Sequence, residues 1–118
     1  MKISEITIAC FDLDGMVSFY QNVFSLSFNI VKIPQGAVFV GDMDEVKLTL
    51  CPADLAGIKA KDNRHQISIL VDNIDSILRM TQNYHGSIMQ DNVKTNGGQR
   101  ASIRDVDGNS IVLIQEIK

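Results

Sequence analysis

An order of elements, strand–helix–strand–strand–strand, runs twice through this sequence. That repeat narrows the folds open to the chain more than any other feature. Asp12-Leu13-Asp14 lies over Asn73-Ile74-Asp75 at an offset of 61 residues. In the first copy, Ile6, Ile8 and Cys10 alternate with Glu5, Thr7 and Ala9 over residues 3–11, the period of a half-buried strand. Asp12 sits where an N-cap belongs, and Met16, Phe19, Tyr20, Val23 and Phe24 then recur at helical spacing. Residues 28–33 and 37–40 read as strands joined at Pro34-Gln35-Gly36, with a further turn at Gly41-Asp42-Met43-Asp44. Residues 46–51 form the last strand of this copy, with Leu48 and Leu50 on one face and Lys47, Thr49 and Cys51 on the other.

The second copy begins after a stretch without sustained period, residues 52–63, in which a short helical turn fits 53–56. Gln66, Ser68 and Leu70 alternate with Ile67, Ile69 and Val71. Asn73 caps a helix striped by Ile74, Ile77, Leu78 and Thr81, with Gly86 as its C-terminal stop. Strands follow at 87–94, 99–104 and 110–117, the last two joined through Asp107-Gly108, a strong hairpin signal. The fold class is therefore α+β: two βαβββ modules, 1–51 and 64–118, within one domain. They build a curved, mixed, mostly antiparallel eight-stranded sheet with helices on its outer face. The polar-leaning strand faces then converge on a concave surface.

Composition excludes several function classes. Apolar residues make up 45% of the 118 and charged residues 21%, an ordinary globular balance. The net charge of −3, with no Lys/Arg cluster, speaks against nucleic acid as a partner. No apolar run reaches membrane-spanning length, and the N-terminus has no signal-peptide pattern. Cys10 and Cys51 form neither a disulfide framework nor a CxxC pair, so the expected setting is the reducing cytoplasm.

Three stretches carry a family resemblance. Phe11-Asp12-Leu13-Asp14-Gly15-Met16-Val17-Ser18-Phe19-Tyr20 resembles the opening of the first helix in the vicinal oxygen chelate superfamily. This is the group of glyoxalase I, extradiol dioxygenases, fosfomycin-resistance enzymes and bleomycin-binding proteins. Arg104-Asp105-Val106-Asp107-Gly108-Asn109-Ser110-Ile111 is similar to its final hairpin, and residues 67–75 to its fifth strand and second helix cap. The three occur at the family's separation inside the repeat, and the resemblance spans essentially the whole chain.

The resemblance implies metal ligands, usually His or Glu, on four strands facing the concave side. Their positions fall here at Glu5, Lys47 (or Thr49), Gln66 and Val112. A charged lysine has no lone pair and valine cannot coordinate, so the set is poor for a transition metal. Glu5, His65 and Gln66 are the weak metal candidates, and strand parity points His65 away from the site.

The expected function is metal-independent binding of a small organic molecule in the concave cup, with no cofactor required. The expected ligand-binding residues are Glu5, Thr7, Lys47, Thr49, Gln66, Ser68, Val112 and Ile114. Ala9, Cys51 and Leu70 complete the wall, and Val112 is expected to face water. The alternative is a metal-dependent lyase or dioxygenase of the same superfamily with a rearranged site, holding a divalent metal. The resemblance also implies a homodimer.

Overall fold

A computed structural model describes residues 3–56 and 65–117. The chain divides into two compact units, Met1–Ala60 and Lys61–Lys118. Most of the expected connector, residues 57–63, lies outside the described residues.

In the first unit β1 (Glu5–Cys10) leads into α1 (Leu13–Val23), followed by β2 (Phe28–Ile33), β3 (Gly36–Met43), β4 (Val46–Pro52) and the short α2 (Ala53–Ala56). Asp12 caps α1 as its residue type implies: its carboxylate accepts from the Gly15 N–H at 3.0 Å. The sheet order is β1-β4-β3-β2. β1 pairs parallel with β4, and the other pairs are antiparallel. Helix α1 packs on β4. Met16, Phe19, Tyr20 and Val23 are buried there with Leu48, Leu50 and Cys10 of the sheet. Phe19 meets Tyr20 and Phe24 edge-on, at ring separations of 5.3 and 6.2 Å.

The second unit repeats the plan with β5 (Ile67–Leu70), α3 (Ile74–Asn83), β6 (Ser87–Thr95), β7 (Gly98–Arg104) and β8 (Ser110–Glu116), in the order β5-β8-β7-β6. β5 pairs parallel with β8. Asn73 caps α3 through the Ser76 N–H at 3.1 Å, and Gln115 Oε1 accepts from the Ile74 N–H at 2.8 Å, tying the helix start to β8. The hairpin before β8 is held by Asp105. Its buried carboxylate accepts from the N–H groups of Asp107 and Asn109 and from the Asn109 amide.

Three details depart from the sequence-based expectations. The eight strands form two four-stranded sheets, one per unit, rather than one continuous ladder. Gly41 and Asp42 belong to β3, because Asp42 still pairs with Lys47, and the chain turns later at Asp44, whose φ is +55°. The left-handed residue that ends α3 is His85, with φ of +71°, and not Gly86, which instead donates its N–H to the Thr81 carbonyl.

Candidate functional site

Each sheet has one face covered by its helix and an opposite face built from the alternate residues. In the first unit that open face is set by the parallel register Glu5↔Lys47, Thr7↔Thr49 and Ala9↔Cys51, extended by Val40↔Thr49 and Asp42↔Lys47. The residues expected to line the site here, Glu5, Thr7, Lys47 and Thr49, are thus brought side by side. Thr49 Oγ1 donates to Glu5 Oε2 at 3.1 Å and Thr7 Oγ1 donates to Glu5 Oε1 at 3.4 Å, so each carboxylate oxygen accepts one hydroxyl. Lys47 Nζ is paired with Asp42 Oδ1. Glu5, Thr7 and Lys47 are exposed, whereas Thr49 and Cys51 on the interior strand are buried. Burial also pushes the Cys51 thiol above its ordinary pKa, which keeps it protonated and a weak nucleophile.

In the second unit the open face forms cross-strand rows. Ser68 pairs with Val112, Val112 with Ser102, and Ser102 with Gln90. One row along, Leu70 pairs with Ile114, Ile114 with Arg100, and Arg100 with Val93. Gln66, just before β5, donates its amide to Ser110 Oγ at 2.7 Å, and that hydroxyl donates to the Met89 thioether at 3.5 Å. Gln66, Ser68, Val112 and Ile114 therefore share a face, as expected. Val112 is the correction: it is 2% exposed and does not meet water. It lies on an interior strand, flanked on both sides.

Sequence reasoning missed Met89, Gln90 and Arg100 on this face. The β6 register shifts between Ile88 and Gln90 and again between Gln90 and Val93, so simple alternation misplaces the middle of that strand. Arg100 needed only the alternation of β7, in which Ala101 and Ile103 are fully buried and Arg100, Ser102 and Arg104 fall on the other side.

The positions at which a metal is implied hold one carboxylate, one ammonium, one amide and one alkyl group. Glu5 already accepts two hydroxyls, Lys47 is ion-paired, Gln66 is engaged with Ser110 and Val112 has no donor atom. This donor set does not fit a transition metal. His65 is exposed just ahead of β5, outside the strand. Among the described residues no group of three or more His, Cys, Asp or Glu side chains is placed to hold a metal ion.

The paired βαβββ units define a glyoxalase-like fold. The sequence profile of the Glyoxalase/Bleomycin resistance protein/Dioxygenase superfamily matches residues 2–113, and the chain belongs to that superfamily. Among curated proteins no sequence shows significant similarity. Solved structures with the same fold include a glyoxalase/bleomycin resistance protein/dioxygenase family enzyme from Burkholderia phytofirmans PsJN. It is 14% identical, with 99% of this chain and 100% of that one aligned at a TM-score of 0.79. TnmS3, an antibiotic binding protein from Streptomyces sp. CB03234, is 16% identical over 99% of this chain and 97% of its own, with a TM-score of 0.76. A lactoylglutathione lyase from Agrobacterium tumefaciens is 20% identical over 97% and 92%, with a TM-score of 0.70.

Proposed function

We propose that this chain binds a small organic molecule on its open sheet faces without a catalytic metal. The observation that carries the reading is the donor set at the implied metal positions. Where an enzyme of the superfamily is implied to present His or Glu, this chain presents Lys47 paired with Asp42 and a buried Val112. Each face nevertheless keeps what a ligand surface needs: exposed hydrogen-bonding groups at Glu5 and Thr7 in the first unit, and at Gln66 and Ser68 alongside the apolar Leu70 and Ile114 in the second. An antibiotic-binding protein of the same fold supports binding as a use of this architecture. The working form is a homodimer, and the buried thiols of Cys10 and Cys51 support a reducing, cytoplasmic setting.

Two measurements on protein purified without added metal test the reading. Native mass spectrometry is expected to show a small organic adduct, and elemental analysis to show metal far below one equivalent. Stoichiometric zinc, nickel, iron or manganese would overturn it in favour of a metal-dependent lyase or dioxygenase.

A further inference from the structure

We infer that Arg100 reads an anionic group, a carboxylate or its sulfonate equivalent, on a ligand whose apolar body lies along Leu70, Ile114 and Val93. The inference rests on the reading of the open faces as ligand surfaces and adds a chemical class to it.

Register places these four residues in one row across the second sheet: Leu70↔Ile114, Ile114↔Arg100 and Arg100↔Val93. Residues directly opposite in neighbouring strands share a face, so the guanidinium rises from the same surface as the three aliphatic side chains. Leu70 is 63% exposed and Val93 41%, so the row is open to solvent rather than packed beneath a helix. Arg100 is itself exposed and has no ion-pair partner among the described residues. The neighbouring carboxylates by register are Glu116, opposite Gly98, and Asp91, in the bulged stretch of β6 between Gln90 and Val93; both are exposed and neither pairs with Arg100. Arg104, four residues on along the same strand face, is engaged: its Nη1 donates to the Gly108 carbonyl at 2.9 Å. One arginine of the face is thus committed to holding a hairpin, while the other is not.

An uncommitted guanidinium among aliphatic side chains suits one kind of ligand. Its planar fork matches a carboxylate through two parallel hydrogen bonds. The flanking Leu70, Ile114 and Val93 offer apolar area to the body that carries the anion. Ser102 adjoins Arg100 along the same face of β7 and supplies a hydroxyl for a further polar contact.

The test compares 2-naphthoate with its neutral isostere 2-naphthamide on the full chain. Methyl NMR shifts of Leu70, Val93 and Ile114 locate the binding. The wild type is expected to bind the acid about tenfold or more tightly than the amide, the size of one charge-assisted interaction. Arg100→Gln should erase that preference and leave the amide affinity unchanged, and Arg100→Lys should keep part of it. If acid and amide shift these methyls with equal affinity, or the preference survives in Arg100→Gln, the anion reading fails while the small-molecule reading stands. If neither probe moves these methyls at millimolar concentration, the anion reading fails too. The mass-spectrometric search for a bound molecule then decides the broader proposal separately.

Discussion

Val112 occupies a position where a family ligand is implied, yet it is sealed from water at 2% exposure. A carboxylate there would be buried with only the hydroxyls of Ser68 and Ser102 in its own row, while Arg100 and Arg104 lie one row away on either side with their side chains exposed to water. Val112→Glu is therefore expected to cost about 3–5 kcal/mol in chemical denaturation, the scale of an uncompensated buried charge. A loss below about 1 kcal/mol would show that the position opens to solvent. His85 gives a change of opposite sign. It adopts φ of +71° at the end of α3, where a side chain is penalised and glycine is not. His85→Gly should stabilise the protein by about 0.5–1 kcal/mol, read as a rise in denaturation midpoint. Cys51 is 8% exposed and its thiol pKa is raised by burial. Its reaction with a disulfide reagent near pH 8 should run far slower in the folded protein than in the denatured one. Equal rates would place it at an open surface.

At the scale of elements, the join between α1 and the first sheet holds the largest fully buried side chains, Tyr20, Phe19 and Met16. Phe19 is fully buried and contacts both Tyr20 and Phe24. Phe19→Ala is expected to destabilise by about 3–5 kcal/mol, measured by thermal or denaturant unfolding. A loss under about 1 kcal/mol would contradict its place in the core. This helix and its stripe were legible in the sequence because capping and periodicity agree at every position from Asp12 to Val23. The strand faces around Glu5, Thr7, Lys47 and Thr49 were legible for the same reason, since period two fixes which side chains share a side. β6 was not. Its two register shifts break the alternation, and nothing in Ser87-Ile88-Met89-Gln90-Asp91 marks where an extra residue enters. The end of β3 was misread because Gly41 and Asp42 look like turn residues. Cross-strand pairing with Leu48 and Lys47, which extends the β3–β4 hairpin, outweighs that single-residue preference. The dryness of Val112 also escaped, since alternation gives a face but not how deeply that face is covered.

The whole molecule poses a question of edges and size. Each unit spans roughly sixty residues, a length at which a single core is marginal. Within its own sheet, each of β1, β2, β5 and β6 has a neighbour on one side only. The two outer strands next to the hairpins differ in how they are guarded. β6 carries two register shifts together with Asp91 and Lys94, features that discourage further pairing. β2 keeps an uninterrupted register with β3 from Phe28 to Ile33, and it exposes Ile30 at 59% and Val31 at 44%. Leaving such apolar edge residues in water carries a cost that a second copy of the chain would remove, and a symmetric pair is the commonest way to remove it. Sedimentation velocity across a micromolar concentration series is therefore expected to give a species of twice the 13.1 kDa chain mass, dissociating on dilution. A single species at the chain mass throughout that range would remove the dimer and leave β2 as a solvent-exposed edge.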